Sequence, residues 1–159
     1  MTALRQQVAR LGPIGRVPYA PASLAALLAI PAAWLLHWAG GFPLLLAATA
    51  AIFALGLWSA GAVPRPHAVI GAVAGQWIAL WPLSGGLWWM GVEPHIFPWP
   101  GWVGGFLVFR ILDNLKPQPL LSAGQRPGAL GVMFGDAAAG LGAALAVMVA
   151  AAISHGVLM

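Results

Sequence analysis

Apolar residues run in long, nearly unbroken stretches along most of the chain, and polar residues collect in the short segments between them. A helix of roughly 18 or more apolar residues is long enough to cross a bilayer. Five stretches of about this kind are present, and they cover 23–40, 42–63, 68–90, 100–115 and 130–158. The pattern predicts an all-α integral membrane protein with about five transmembrane helices, some of them kinked or broken by proline and glycine.

Two shorter features complete this predicted architecture. The segment "HWAGGF" between the first two stretches is typical of a tight connection between antiparallel helices. Residues 1–11 place leucine and valine on one side and arginine elsewhere, which is typical of a helix that lies on the membrane surface. We therefore expect one membrane domain over 1–159, with an interfacial and cytoplasmic segment at 1–16 and a helical bundle at 17–159.

The composition supports the membrane assignment and excludes other classes of protein. Apolar residues make up 61% of the chain and charged residues only 6%, whereas soluble domains carry about 25% charged residues. The chain has no cysteine, which excludes disulfides and thiol chemistry. The formal charge is +4, but the basic residues are scattered between apolar stretches, so membrane topology explains them and no nucleic-acid partner is expected.

The basic residues also predict which side of the membrane each connection faces. With a cytoplasmic N-terminus, the inner segments are 1–22, 64–67 and 110–128. They contain all seven lysine and arginine residues of the chain, namely Arg5, Arg10, Arg16, Arg65, Arg110, Lys116 and Arg126. The outer connections contain the only glutamate, Glu93. This asymmetry predicts a multi-pass protein with its N-terminus in the cytoplasm.

The segment "FRILDNLKPQP" at 109–119 concentrates Arg110, Asp113 and Lys116 at helical spacing, so these side chains share one face. One interpretation is an ion-pair cluster at the end of a helix. The other makes Asp113 a metal ligand and the two cations phosphate contacts. Asp136 is either a carboxylate that favours a helix N-terminus or a second metal ligand facing Asp113.

Other polar and small residues have simpler interpretations. The small residues Gly135, Ala139, Gly140 and Ala143 recur at helix-packing intervals, which predicts close contact with another helix. The nine tryptophans are typical of an aromatic belt, and ligand stacking is the alternative. The four histidines are dispersed without metal-binding spacing, and we expect them to be interfacial polar residues.

"FRILDNLKPQP" followed by "GALGVMFGDAAAGLGAAL" resembles the phosphatidylglycerophosphatase A family. The residues that carry this resemblance are Phe109, Arg110, Asp113, Lys116, Pro117, Pro119, Gly135, Asp136, Ala139 and Gly140. "APAS" at 20–23 resembles an Ala-Pro-Gly-Thr element, and "AVIGAVAGQWIAL" at 68–80 resembles a segment with Asp-Glu followed by Gly-Gln-Trp. The resemblance covers 12–150 with the elements in the right order.

The resemblance implies a fold, a reaction and a set of roles. Family members are magnesium-dependent phosphatases that convert phosphatidylglycerophosphate to phosphatidylglycerol at the cytoplasmic side of the bacterial inner membrane. By this resemblance Asp113 and Asp136 would be the catalytic and magnesium-binding acids. Arg110 and Lys116 would bind the substrate phosphate.

The chain also departs from the family pattern at its acidic positions. Gly71 and Ala72 stand where the family has Asp-Glu, and Gly135 stands where it has the first acid of a pair. The sequence "PRPH" at 64–67 replaces acidic residues, and Ala-Ser at 22–23 replaces Gly-Thr. Glycine and alanine have no side chain that binds magnesium, so we expect that most of the metal site is lost.

Three functions follow from these observations. The first is a non-catalytic accessory or structural subunit of a membrane complex, without a cofactor, that binds anionic phospholipid through Arg110, Lys116 and Arg126. The second is an active magnesium-dependent lipid phosphatase with a rebuilt site. The third is a small transporter, which is compatible with the breaks in the third apolar stretch at Pro82 and 85–86. Whether the chain is an enzyme stays open between the first two.

Overall fold

Helices account for all the regular structure in the residues that the computed structural model describes, 1–118 and 120–158. They are α1 (Thr2–Arg10), α2 (Pro21–Ser59), α3 (Ile70–Ala79), α4 (Trp81–Trp89), α5 (Trp99–Leu115), α6 (Leu120–Gly124) and α7 (Gly128–Leu158). Three 3₁₀ turns cover Ile14–Arg16, Ala60–Ala62 and Arg65–His67. Pro119, the last residue of the charged motif, lies outside the described residues.

Helix α2 is divided at Gly41, whose φ of 67° and ψ of −161° fall in a region that glycine adopts easily. Both halves pack against the same neighbours. The Trp77 indole donates a hydrogen bond to the Ala29 carbonyl in the first half, at 2.9 Å. The Trp81 indole donates to Thr49 Oγ1 in the second half, at 3.3 Å. The chain therefore turns back at Gly41, inside the segment where the sequence predicts a hairpin.

Two helices of the described residues are long and apolar enough to cross a membrane, Pro21–Ala62 and Gly128–Val157. The first of these contains both halves of α2. The third predicted span is instead two short helices, because α3 ends at Ala79 and α4 begins at Trp81. Helix α5 has 17 residues. The all-helical prediction is confirmed over the described residues, and the number of five crossings stays a prediction.

Helix α3 forms the centre of the bundle, since each of its ten residues is buried. It packs against α2 through alanines and against α7 through glycines. A Cβ atom added at Gly140 would lie 3.0 Å from the Cα and carbonyl carbon of Gly75. The backbones of α3 and α7 therefore touch. The close helix contact predicted from the small residues of α7 is confirmed, and Ala139 and Ala143 are fully buried beside it.

The N-terminal helix and the short turns gather at one end of the bundle. Arg5 of α1 donates to the Trp58 carbonyl at 2.6 Å, and its guanidinium lies 5.6 Å from the centre of the Trp58 ring. His67 donates through Nδ1 to the Gly15 carbonyl at 2.7 Å. The prediction of an N-terminal helix is confirmed. The second contact holds the Arg65–His67 turn against the Ile14–Arg16 turn that precedes α2.

Candidate functional site

A cavity of about 330 Å³ lies where α5 ends and α7 begins. Its wall is formed by Ala22, Arg65, Pro66, Ala68, Arg110, Asp113, Asn114, Lys116, Gly131, Val132 and Asp136. Both aspartates of the chain and three of its seven basic residues are among them. The four site residues predicted from the sequence, two acids and two cations, therefore meet in one place.

Asp113 lies one helical turn after Arg110 and one turn before Lys116, so α5 itself brings these three side chains together. The Arg110 guanidinium bonds to Asp113 Oδ2. The Lys116 Nζ atom lies 3.6 Å from Asp113 Oδ1. Each carboxylate oxygen of Asp113 thus faces a cation, as expected for an ion-pair cluster at the end of a helix.

Arg110 is held by further acceptors. Its Nε atom donates to Ser23 Oγ at 3.1 Å, and its Nη2 atom donates to Asn114 Oδ1 at 3.3 Å. Only 12% of its side chain is exposed. Ser23 belongs to the "APAS" segment at the start of α2, so this bond joins two sequence elements that are 87 residues apart.

Asp136 lies early in α7, and its charged neighbours are Asp113, Lys116 and Arg110. Its carboxylate occupies space that a larger residue at Gly71 would need. A Cβ atom added at Gly71 would meet Asp136 Oδ2 and would lie 3.1 Å from the carboxyl carbon. The structure therefore places the two aspartates side by side, and the metal-binding role of the pair stays a prediction.

The three positions at which the chain lacks the acids implied by the resemblance do not share one environment. Gly71 borders the cavity through Asp136. A Cβ atom added at Gly135 would lie 3.8 Å from Lys116 Nζ, so this position is also beside the site. Ala72 is 1% exposed and packs in the hydrophobic core with Ala25 and other small residues of α2.

Arg65 is a site residue that the sequence interpretation missed. It lines the cavity, and its Nη1 and Nη2 atoms donate to the carbonyls of Gly124 at 2.6 Å and Arg126 at 2.5 Å. The only signal in the sequence is that "PRPH" places a cation in a segment where the resemblance implies acids. Arg126 is different, since its guanidinium lies 5.0 Å from the Phe134 ring and is not among the lining residues.

The ionised groups around the cavity favour an anion. Three cationic side chains and two carboxylates line it, which leaves a formal charge of +1 when all are ionised. Lys116 is the most accessible member of its ion-pair cluster, because 37% of its side chain is exposed. Its distance from Asp113 leaves ammonium protons free for another acceptor.

Two other cavities have fewer charged residues in their walls. One of them, of about 490 Å³, is lined by apolar residues of α2 and by His95, Phe97 and Trp102, with no carboxylate, lysine or arginine among its described residues. His37 borders a different cavity, which Glu93 also lines. The structure corrects the prediction that His37 is an interfacial residue. It is 2% exposed, and its Nδ1 atom lies 2.7 Å from Ser84 Oγ.

The sequence also matches a family profile described as phosphatidylglycerophosphatase A over residues 7–151. The chain belongs to the phosphatidylglycerophosphatase A family. No curated protein and no solved structure matches it. The matched range includes the start of α2, all of α3 and α5, and the part of α7 that carries Asp136. The family resemblance predicted from the sequence motifs is therefore confirmed, and it makes the chain a phosphatidylglycerophosphatase-like protein.

The phosphatidylglycerophosphatase A resemblance implies magnesium, so the donors around the cavity can be compared with what that ion needs. Magnesium is bound octahedrally through one or two carboxylates together with water and substrate phosphate. Two carboxylates line the cavity, those of Asp113 and Asp136, so the question is whether they are available to a metal ion. Both oxygens of Asp113 face cations, and the Asp136 carboxylate lies against Gly71. This donor set does not fit magnesium in the arrangement described.

Proposed function

We propose that the chain is a phosphatidylglycerophosphatase-like membrane protein that binds the phosphorylated headgroup of an anionic lipid and has lost catalysis. It would serve as an accessory or structural subunit of a membrane complex. One observation carries the proposal: Arg65, Arg110 and Lys116 line a cavity in which the neighbouring positions 71 and 135 are glycines.

The cations provide the means of binding. A phosphate monoester carries up to two negative charges and several strong acceptor oxygens, which guanidinium and ammonium groups bind through short charged hydrogen bonds. Arg110 is oriented in advance by Ser23 and Asn114. Lys116 is accessible from outside the bundle. Basic groups at the cytoplasmic surface attract anionic lipids.

The glycines explain why hydrolysis would be lost. Phosphoryl transfer requires charge stabilisation at the transferring group and an activated water, which bound metal ions commonly supply. Gly71 and Gly135 provide no oxygen ligand at the cavity, and Ala72 faces the core. Losing one such group often costs orders of magnitude in rate.

The surface of the bundle supports the membrane location and a role beside other subunits. Large apolar side chains are exposed on the outside of α7, namely Leu141, Leu145, Met148, Val149 and Ile153. Lipid or another transmembrane subunit would cover them. The proposed topology has five crossings of the bacterial inner membrane, with both halves of α2 counted separately and the N-terminus in the cytoplasm.

The alternative function is an active magnesium-dependent phosphatase that converts phosphatidylglycerophosphate to phosphatidylglycerol. The proximity of Asp113 and Asp136 beside Arg110 supports it. For this activity, a metal ion would have to compete with Arg110 and Lys116 for Asp113. A test of lipid binding and a test of turnover therefore distinguish the two functions.

Binding is tested in nanodiscs by native mass spectrometry with phosphatidylglycerophosphate, phosphatidylglycerol and phosphatidylcholine. We expect preferential retention of phosphatidylglycerophosphate, which alone of the three carries a phosphate monoester, and a loss of about tenfold in affinity, roughly 1.4 kcal/mol, in Lys116→Gln. Arg16→Gln removes the same charge from an exposed residue outside the cavity and should change affinity by less than about twofold. Equal retention of all three lipids by the unmodified protein would contradict the proposal.

A further inference from the structure

We infer that the cavity takes a phosphate monoester without a divalent cation, and that Arg65 is one of its recognition residues. The inference rests on the proposed function and deepens it in two ways. It names the chemical group that the site recognises, and it replaces the metal that the family resemblance implies with a side chain of this chain.

Arg65 is fixed in a position that suits such a role. It opens the Arg65–His67 turn, and its two Nη atoms donate to the Gly124 and Arg126 carbonyls in the connection between α6 and α7. A side chain at Gly131 would collide with it, because a Cβ atom there would meet Arg65 Nη2. The first turn of α7 thus leaves room for the guanidinium, and Arg65 as a whole residue is exposed.

The balance of charge around the cavity argues against a metal ion as the intermediary. A divalent cation would meet three positive side chains, and Asp113 is already engaged by two of them. A phosphate monoester would meet the same groups with the opposite sign of charge. The first turn of α7 also borders the cavity through Gly131 and Val132, and the dipole of a helix favours an anion at that end.

Two carboxylates, those of Asp113 and Asp136, line the cavity beside the three cations. Asp113 orients Arg110 and Lys116 through the ion pairs described above. Asp136 lies next to Gly71 and has Lys116 and Arg110 among its charged neighbours. The three cations still outnumber the two acids among the described lining residues, so an anion that contacts Arg65 and Lys116 would meet a net positive charge.

The test uses the full chain in phosphatidylcholine nanodiscs that contain either phosphatidic acid, a phosphate monoester, or phosphatidylglycerol, a phosphodiester. Binding is measured with EDTA and again with magnesium. We expect phosphatidic acid to bind in EDTA, with a change of less than about twofold when magnesium is added. Arg65→Gln should weaken this binding by about tenfold, and Arg65→Lys should recover part of it.

Arg16→Gln is the matched control, because it removes the same charge from an exposed residue that does not line the cavity. Its affinity should stay within about twofold of the unmodified protein. Unfolding temperatures of the variants are compared, so that a loss of binding in Arg65→Gln at an unchanged unfolding temperature assigns the effect to recognition. If Arg65→Gln binds as tightly as Arg16→Gln, Arg65 is not a recognition residue.

The remaining outcomes separate the two proposals. Binding that appears only with magnesium would overturn the metal-free inference and leave the proposed function standing. If neither phosphatidic acid nor phosphatidylglycerol binds in either condition, the metal-free inference and the proposed function are both overturned. Competition by inorganic phosphate identifies the source of the group: displacement supports a site open to free phosphate monoesters, and lipid retention supports a site that recognises the phosphate on a headgroup.

Discussion

The contact between Gly71 and Asp136 links the missing acid to the retained one. The Asp136 carboxylate lies where the first side-chain atom at position 71 would be. An acidic residue at 71 would therefore have to displace Asp136 and would also place a second negative charge beside it. Restoring the family residue at this single position is not expected to restore a metal site.

Gly71→Ala tests this contact at the level of one methyl group. The added Cβ atom would meet Asp136 Oδ2 and Val132 in a buried region, so we expect the free energy of unfolding to fall by about 1–3 kcal/mol. Gly104→Ala is the control, because Gly104 lies inside α5 with open space around it and should gain up to about 1 kcal/mol. Thermal unfolding in detergent measures both. An unfolding temperature for Gly71→Ala equal to that of Gly104→Ala would show that the contact is absent.

At the residue scale, the sequence predicts those parts of the site that depend on spacing within one helix. Arg110 and Asp113 are brought together by the geometry of α5, and Lys116 is the residue directly after this helix, with a φ of 43°. Arg65 was not predicted, because its partners at Gly124 and Arg126 are 59 and 61 residues away and are backbone carbonyls. Every residue has a backbone carbonyl, so the sequence does not show which carbonyls accept a hydrogen bond from Arg65.

At the scale of helices, the crossing of α3 and α7 positions the acids. Gly75 and Gly140 let the two backbones touch, and this contact holds the start of α7 against the cavity. The sequence predicted the small-residue contact and the reversal near Gly41. It also predicted an interruption of the third stretch at Pro82, and the break between α3 and α4 lies directly before this residue. It did not predict that α3 is fully buried, because a buried helix and a membrane-spanning helix have the same apolar composition.

Gly140→Ala tests the helix crossing. The new Cβ atom would meet the backbone of Gly75, which cannot move aside as a side chain can, so we expect a loss of about 1–3 kcal/mol in the free energy of unfolding. Gly156→Ala is the control in the same helix, since nothing lies within 4 Å of its Cβ position. Unfolding temperatures in detergent report the difference. A neutral Gly140→Ala would contradict the close crossing.

For the whole molecule, the distribution of charge predicts the orientation in the membrane. The absence of cysteine allows single-cysteine labelling without further changes. We expect Glu93→Cys to react with a membrane-impermeant maleimide in intact spheroplasts, and Arg16→Cys to react only after the membrane is permeabilised. Both residues are exposed. Labelling of both cysteines from the same side would contradict the proposed topology.

A cavity that binds lipid phosphate without hydrolysing it should release no phosphate from its lipid. Purified protein in detergent micelles is incubated with phosphatidylglycerophosphate, with and without magnesium, beside Asp113→Asn. We predict phosphate release at the background rate in every sample, from protein whose unfolding temperature shows that it is folded. Magnesium-dependent release that is lost in Asp113→Asn would contradict this account and establish the chain as an active phosphatase.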